Sequence, residues 1–287
     1  MILNETYELN NGVKIPKVGL GTWFIKDKDA SEAVRNAVKT GYRLIDTAEA
    51  YANEKGIGEG IRTCGIPRAE LFVTTKILAE AKTYGEAKQC IEGSLHDLNL
   101  DYIDLMIIHA PQPWKQWRDK KERYFAENLQ VWKALEDAYE AGKLKAIGVS
   151  NFLIDDLQNI LDHCRVKPAV NQVLNHVGNV PKELIEFCQK KDVLVESYAP
   201  LGHGKLMKNE EIEAIAAQHH VTVAQVCMRF DVQMGTVAIP KAGSVDHMKE
   251  NAAIDFELSA DEMERLAKVR FKGYGMMKVM PVFSGRE

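Results

Sequence analysis

The sequence predicts an α/β protein that folds as one (β/α)8 TIM barrel, because its pattern alternates and its length matches. Eight short apolar runs rich in β-branched residues alternate with stretches of helical period. Runs that are apolar on both faces are typical of parallel strands covered by helices, and eight β-then-α units close a barrel. Such a barrel needs about 250 residues. We therefore expect residues 1–287 to form a single domain.

The predicted strands are spaced so that a helix fits after each one. They are 18–22, 43–48, 71–77, 102–110, 146–151, 169–173, 193–200 and 236–241. An open doubly wound sheet shows the same alternation, but it usually carries G-x-G-x-x-G after its first strand. Here the first strand ends G-L-G-T-W-F, and the glycine-rich stretch 56–60 lacks the required spacing, which favours the barrel.

A β-hairpin is predicted ahead of the first barrel strand. Apolar residues alternate along 7–15 on both sides of Asn11-Gly12. Asn-Gly between alternating residues is the strongest short hairpin signal. We expect this hairpin to cover the bottom of the barrel.

Composition and charge exclude several classes of partner. The formal net charge of -4 provides no basic field for nucleic acid. No stretch reaches the roughly 18 apolar residues of a membrane span, and the N-terminus does not resemble a secretory signal. The five cysteines are scattered and odd in number, as in reduced cytoplasmic proteins. We expect a cytoplasmic monomer that binds neither nucleic acid nor membranes.

No metal site and no serine nucleophile are predicted. The sequence has no H-x-x-x-H pair, no Cys/His cluster and no G-x-S-x-G elbow. His219 and His220 are adjacent, and neighbouring helical residues point in different directions.

Four polar residues fall at or just after the ends of consecutive predicted strands. Asp46, Lys76 and His109 end the second, third and fourth strands, and Tyr51 follows the second. Strand ends converge on the barrel mouth where such enzymes do chemistry. A lysine ammonium lowers the pKa of a nearby phenol, an aspartate orients the lysine, and a histidine orients a carbonyl oxygen. Each residue alone has an ordinary structural explanation, but the set predicts a general acid for carbonyl reduction.

Six short motifs stand out along the chain. They are D-T-A-E-A-Y-A-N-E (46–54), T-K (75–76), I-H-A-P (108–111), G-V-S-N-F (148–152), N-Q (171–172) and I-P-K-A-G-S (239–244). In sequence and in order they resemble the motifs of the aldo-keto reductase family, and the resemblance covers about residues 5 to 270. It is greatest to bacterial and lower-eukaryotic reductases of small aldehydes, ketoaldehydes and keto-sugars. The resemblance implies NAD(P)H-dependent reduction of aldehydes or ketones to alcohols.

The resemblance also implies a role for each matching residue. Tyr51 is then the proton donor, Lys76 and Asp46 tune it, and His109 orients the carbonyl. The implied cofactor contacts are Gly21, Thr22, Trp23, Asp46, Ser150, Asn151, Gln172, Tyr198, Leu201, Lys241, Ser244, His247, Glu250 and Asn251.

These implied contacts divide the cofactor into two ends. At the nicotinamide end, the carboxamide is bound by Ser150, Asn151 and Gln172, and the ring stacks on Tyr198. At the adenosine end, the 2′-phosphate is bound by Lys241 and Ser244, and the adenine by Glu250 and Asn251.

The adenosine end departs from the family at one position. His247 stands where members that prefer NADPH commonly carry an arginine, which is permanently charged and binds phosphate through two donors. We expect NADPH to be preferred through Lys241, with NADH accepted at a small disadvantage.

The predicted substrate contacts are Trp23, Tyr51, His109, Ala110 and Trp114. Ala110 replaces the tryptophan usual after the family's catalytic histidine. Loop 110–125 either closes over the substrate or is a solvated loop whose tryptophans cap helices. The tail after residue 270 either lines the pocket or packs on the barrel exterior.

Two other functions remain open from the sequence. One is a dinucleotide-binding regulatory barrel without significant turnover, which the complete set of four polar residues disfavours. The other is a different barrel enzyme, such as a lyase or a phosphosugar isomerase, in which stretch 239–244 would bind phosphate.

Overall fold

The computed structural model describes residues 1–284 and confirms the barrel. Eight parallel strands form one sheet in sequential order, and two further strands form a separate antiparallel hairpin. The strands are β1 (Thr6–Glu8), β2 (Lys14–Pro16), β3 (Gly19–Gly21), β4 (Leu44–Asp46), β5 (Phe72–Ile77), β6 (Ile103–Ile108), β7 (Leu144–Ser150), β8 (Val170–Leu174), β9 (Leu194–Tyr198) and β10 (Val237–Ile239).

The sheet closes between its first and last strands. Val18 forms a parallel bridge with Ala238, and Gly21 forms one with Lys241. The amide of Gly21 donates to the carbonyl oxygen of Pro240 at 2.9 Å. A closed sheet excludes the open doubly wound alternative, and it brings all eight carboxyl strand ends to one mouth.

Helices follow every barrel strand and form the outer layer. They are α1 (Asp27–Thr40), α2 (Glu54–Thr63), α3 (Tyr84–Leu98), α4 (Phe125–Glu140), α5 (Ile154–His163), α6 (Lys182–Lys190), α7 (Glu210–His219), α8 (Val223–Gln233), α9 (Val245–Ala252) and α10 (Ala260–Ala267). Strands β9 and β10 are each followed by two helices, so α7 and α10 are additions to the eight-fold pattern. Along residues 1–284, no helix has the length and apolarity to cross a membrane.

The hairpin of β1 and β2 covers the bottom of the barrel, as predicted. Leu9 and Ile15 are buried in one cluster with residues that begin the barrel strands, including Leu44, Phe72 and Val237. This apolar plug closes the amino end of the barrel, so the polar residues at the opposite end are accessible only from the carboxyl end.

The glycine-rich stretch 56–60 belongs to helix packing and not to a phosphate loop. A Cβ on Gly56 would lie 2.1 Å from the carbonyl oxygen of Asp27 in α1, and one on Gly60 would lie 2.6 Å from Val34. On the other side of α2, a Cβ on Gly58 would lie 2.0 Å from the carbonyl oxygen of Leu98. These glycines let α2 approach both neighbours more closely than any side chain would permit.

Gly58→Ala should lower the free energy of unfolding by at least about 1–3 kcal/mol, because the new methyl group meets backbone that cannot move aside cheaply. Gly93→Ala is the matched control, since that glycine is helical and a Cβ there would meet nothing within 4 Å. The control should gain about 0.5–1 kcal/mol. Urea unfolding of both variants checks the pair, and equal stabilities would contradict the close approach of α2 and α3.

Candidate active site

A buried ion pair lies at the centre of the barrel mouth. The ammonium of Lys76 donates to both carboxylate oxygens of Asp46, at 2.7 and 2.8 Å, and to the carbonyl oxygen of Thr47 at 2.8 Å. Lys76 is fully buried and Asp46 is 4% exposed. An ammonium has three N–H donors, so these three hydrogen bonds use all of them. Strands β4 and β5 are adjacent, which places the two side chains together.

Tyr51 lies beside this ion pair in a short 3-10 turn after β4. The ammonium of Lys76 is 5.2 Å from the centre of its ring. Burial raises the pKa of Tyr51 well above its ordinary value, and the negative charge of Asp46 raises it further. Lys76 was expected to lower this pKa, whereas burial and the charge of Asp46 both act in the opposite direction. Tyr51 therefore holds its proton throughout the neutral pH range.

His109 packs against Tyr51 with the ring planes at 74° and the centres 5.7 Å apart. Burial holds the pKa of His109 well below its ordinary value, and the charge of Lys76 lowers it further. Its Nδ1 is buried without a hydrogen-bond partner among the described residues. We assign the ring proton to Nε2, because this leaves only an acceptor unpaired at Nδ1. His109 is then a neutral donor.

Polar side chains from β7, β8 and β9 extend the site beside His109. The amide nitrogen of Asn151 donates to the carbonyl oxygen of His109 and to the hydroxyl of Ser150, both at 3.0 Å. The amide oxygen of Asn151 accepts from the hydroxyl of Tyr198 at 2.7 Å. Asn151 has a φ of 63°, a left-handed conformation that asparagine adopts more readily than most residues. Because its hydroxyl accepts from the amide of Asn151, Ser150 holds that side chain in place.

These residues surround a cavity of about 540 Å³ at the barrel mouth. The predicted residues that line it are Gly21, Thr22, Trp23, Asp46, Tyr51, His109, Trp114, Asn151, Gln172, Tyr198 and Lys241. Eight further lining residues were not singled out from the sequence, although the tail that carries the last three was one candidate for a wall: Phe24, Ala50, Ala199, His203, Ile239, Met280, Pro281 and Val282. Most of these are apolar residues on loops, for which strand-end position gives no signal.

Apart from the residues predicted for the adenosine end, four predicted residues do not line this cavity. Lys76 and Ser150 are buried beneath it and act on residues that do line it. Ala110, expected beside the substrate, is completely buried, and its carbonyl oxygen accepts from Lys82 at 3.2 Å. Leu201 is half-buried and packs with the apolar residues near α7.

The loop at 110–125 supplies one wall of the cavity. Trp114 lies edge-on to His109, with ring centres 5.1 Å apart and planes at 85°. Trp117 packs behind Trp114 and does not line the cavity. The side chain of Gln112 binds the backbone at Asp119 at 2.7 Å and so holds the loop compact. The indole of Trp114 thus lies beside His109, although position 110 carries an alanine in place of the tryptophan usual in the family.

The C-terminal tail supplies the opposite wall. Tyr274 is fully buried, and its hydroxyl lies 2.7 Å from Nε2 of His176, after β8. Phe283 is 1% exposed, packs against Tyr274 and lies edge-on to His203. These anchors place 280–282 over the cavity. Of the two alternatives for the tail, pocket lining holds for this segment.

A second cavity of about 390 Å³ adjoins the first, and Phe24 and Lys241 line both. It lies between α1 and the start of α9, where Ser244 caps the helix by accepting from the amide of His247 at 3.2 Å. Asp29 and Glu32 of α1 also line it. Carboxylates oppose the binding of a phosphate, so this cavity has mixed charge.

The other residues predicted for the adenosine end lie on α9. The side chain of His247 is exposed in the first turn, Glu250 is half-buried, and Asn251 is 3% exposed. None of the three lines either cavity. Elsewhere within residues 1–284, no group of three or more His, Cys, Asp or Glu side chains could hold a metal ion.

Known proteins resemble this chain over nearly its whole length. A family model described as the Aldo/keto reductase family matches residues 17–270. Glyoxal reductase of Bacillus subtilis is 42% identical over 266 residues, which is 92% of either chain. Glycerol 2-dehydrogenase (NADP(+)) of Saccharomyces cerevisiae is 37% identical, covering 91% of this chain and 89% of its own. A crystal structure of an aldo/keto reductase from Brucella melitensis matches with a TM-score of 0.87 at 36% identity, covering 93% of this chain and 98% of the other.

The pKa of His109 yields a direct spectroscopic prediction. Because the pKa of His109 is lowered, its imidazole should still show the nitrogen shifts of the neutral Nε2–H form at pH values where an ordinary histidine, with a pKa near 6.5, is protonated. Two-dimensional NMR of protein labelled at histidine nitrogens measures this, and His109→Asn assigns the signal. A titration midpoint at or above 6.5, or a proton on Nδ1, would contradict the arrangement.

Proposed function

Because this chain belongs to the aldo/keto reductase family, it is a nicotinamide-dependent carbonyl reductase, and we propose that Tyr51 is its general acid. The observation that carries this proposal is the convergence of Asp46, Tyr51, Lys76 and His109 at one barrel mouth. A regulatory barrel without turnover would not require this complete set. A lyase or an isomerase is likewise not favoured by the family match.

The chain's own residues divide the chemistry between them. When bound, the reduced nicotinamide supplies hydride to the carbonyl carbon. His109 donates a hydrogen bond from Nε2 that orients the carbonyl oxygen, and Tyr51 donates its proton as that oxygen becomes negative. The charge of Lys76 then stabilises the phenolate that remains, while Asp46 keeps Lys76 charged and in place.

The residues around the two cavities fit a nicotinamide dinucleotide. The amide oxygens of Asn151 and Gln172 can accept from the amino group of a primary carboxamide, since the N–H groups of both amides are bonded within the protein. The ring of Tyr198 offers a flat face for the nicotinamide. Lys241 lines both cavities, and its positive charge suits a cofactor phosphate that lies between them. We place the nicotinamide and the substrate in the first cavity and the adenosine phosphate near the second.

We propose that NADPH is preferred over NADH by a small margin. Lys241 and the N-terminus of α9 favour a 2′-phosphate, because both are positively polarised. Asp29 and Glu32 act against it, and His247 provides no permanent charge. The yeast relative named for NADP(+) supports the use of the phosphorylated cofactor.

We propose a small aldehyde or ketone with an apolar body as the substrate. Trp23 and Trp114 face the cavity from two loops, and Met280 and Val282 face it from the tail. Such walls favour the burial of apolar surface, and methionine adapts to varied shapes. The similarity to glyoxal reductase supports a small reactive carbonyl.

We also propose that the protein is a cytoplasmic monomer. Every proposed catalytic group comes from one chain, so the site does not require a second copy.

Tyr51→Phe tests the acid directly. It keeps the ring packing but removes the transferable proton, so aldehyde reduction should fall by at least about 100-fold. Binding of NADPH, followed by quenching of tryptophan fluorescence, should be almost unchanged. Tyr84→Phe is the matched control, because its hydroxyl binds Asp137 on the outer helices and its loss should leave the rate intact. Substantial turnover by Tyr51→Phe would remove this residue from the mechanism.

His247→Arg tests the adenosine end. If His247 lies beside the 2′-phosphate, a permanent charge there should tighten NADPH roughly tenfold, and NADH should barely respond. The gain should shrink as salt rises, because an exposed ion pair is screened. His96→Arg, on exposed α3, adds the same charge elsewhere as a control. Dissociation constants of both cofactors at low and high salt decide this, and an equal response of NADPH and NADH would place His247 away from the phosphate.

A further inference from the structure

The amide of Gln172 lies between two buried carboxyl groups. Its Nε2 donates to Oδ2 of Asp46 at 2.8 Å and to Oε2 of Glu196 at 2.9 Å. Gln172 lines the cavity, whereas Glu196 is completely buried on β9 and does not. We propose that Glu196 is a positioning residue that holds the amide of Gln172 with its oxygen toward the cavity. This inference rests on the proposed function, in which that oxygen accepts from the amino group of the nicotinamide carboxamide.

The two acids determine which way the amide faces. An amide nitrogen has two N–H donors, and the two carboxyl oxygens take both of them. If the amide turned over, its oxygen would lie against the carboxylate of Asp46, which has no proton to donate, and the cavity would receive a donor in place of an acceptor. Asp46 accepts one of these hydrogen bonds with a carboxylate that also binds Lys76. Glu196 therefore adds a second hydrogen bond that stabilises the same orientation of the amide.

The surroundings of Glu196 explain why it does this without disturbing the ion pair. Burial raises the pKa of Glu196 to about 8, the charge of Asp46 adds to this, and the hydrogen bond from Gln172 and the charge of Lys76 oppose it. Near pH 7 the side chain is mostly a neutral acid, and its carbonyl oxygen still accepts from Gln172. Its other oxygen, Oε1, has no partner among the described residues. Because a neutral acid and an amide offer the same acceptor, glutamine can replace this glutamate.

A cofactor analogue separates positioning from general structural damage. In the 3-acetylpyridine analogue of NADP⁺, a methyl group replaces the amino group of the carboxamide, so nothing is left to donate to the Gln172 oxygen. Tryptophan fluorescence quenching gives the dissociation constants of NADP⁺ and of this analogue without turnover. Aldehyde reduction by the wild-type protein is measured separately, so failure of the proposed function is recognised independently.

Four variants complete the experiment. Glu196→Met removes the acceptor and should weaken NADP⁺ binding about five- to tenfold, as the loss of one hydrogen bond implies, with little effect on the analogue. Glu196→Asp shortens the side chain by one methylene, so the carboxyl group no longer reaches Gln172. It should also weaken NADP⁺ binding, although the barrel still contains a buried acid. Glu196→Gln keeps the acceptor and should retain NADP⁺ affinity. Asp231→Leu, which removes a different buried acid bonded to Asn175, should change neither constant.

The pattern across ligands decides the proposal. Selective weakening of NADP⁺ in Glu196→Met or Glu196→Asp, with recovery in Glu196→Gln, supports it. If Glu196→Met does not fold, Glu196→Asp and Glu196→Gln carry the comparison. Equal weakening of NADP⁺ and the analogue, or unchanged NADP⁺ binding in Glu196→Asp, overturns it.

Discussion

The ion pair between Lys76 and Asp46 is the interaction on which the rest of the site depends. Two charges taken out of water lose several kcal/mol of hydration each, and only close contact with full hydrogen bonding compensates. Here three hydrogen bonds satisfy the ammonium, and Gln172 adds one to the carboxylate. The hairpin plug beneath the pair and the cavity above it confine these groups to one layer of the barrel. We call that layer the floor of the cavity; Tyr51 and the amide side chains of Asn151 and Gln172 lie on it.

The pairing also determines the protonation states around it. Burial is the main cause of the pKa shifts of Tyr51 and His109, which go in opposite directions; the charge of Asp46 adds to the first shift and that of Lys76 to the second. Both residues are consequently neutral donors near pH 7. A site with two neutral donors and a nearby ammonium has little net charge before reaction and can stabilise negative charge that develops during it. Glu196 is a further neutral group in this site: as a neutral acid it accepts a hydrogen bond from Gln172 without adding a charge.

The cavity combines a rigid floor with walls from distant parts of the chain. The floor consists of strand ends, whose positions are determined by closure of the barrel. The walls are Trp114 from the loop after β6 and segment 280–282 from the tail, which Tyr274 and Phe283 anchor. Such walls can change without disturbing the strand ends, because loops on a barrel vary independently of its strands.

The sequence by itself determined the barrel, the hairpin and the four polar residues at the mouth. Hydrophobic periodicity and position at a strand end are local properties, and closure of parallel strands brings such ends together wherever they lie in the chain. The nicotinamide and adenosine roles came from the resemblance and not from the pattern.

Only the tertiary structure decided the direction of the Tyr51 pKa, the place of Glu196 beneath Gln172, and which loop residues face the cavity. Each of these depends on contacts between residues far apart in the chain; Gln172 and Asp46 are 126 positions apart. Burial and charge compensation arise from such contacts, because a side chain's dielectric surroundings exist only once the chain has folded.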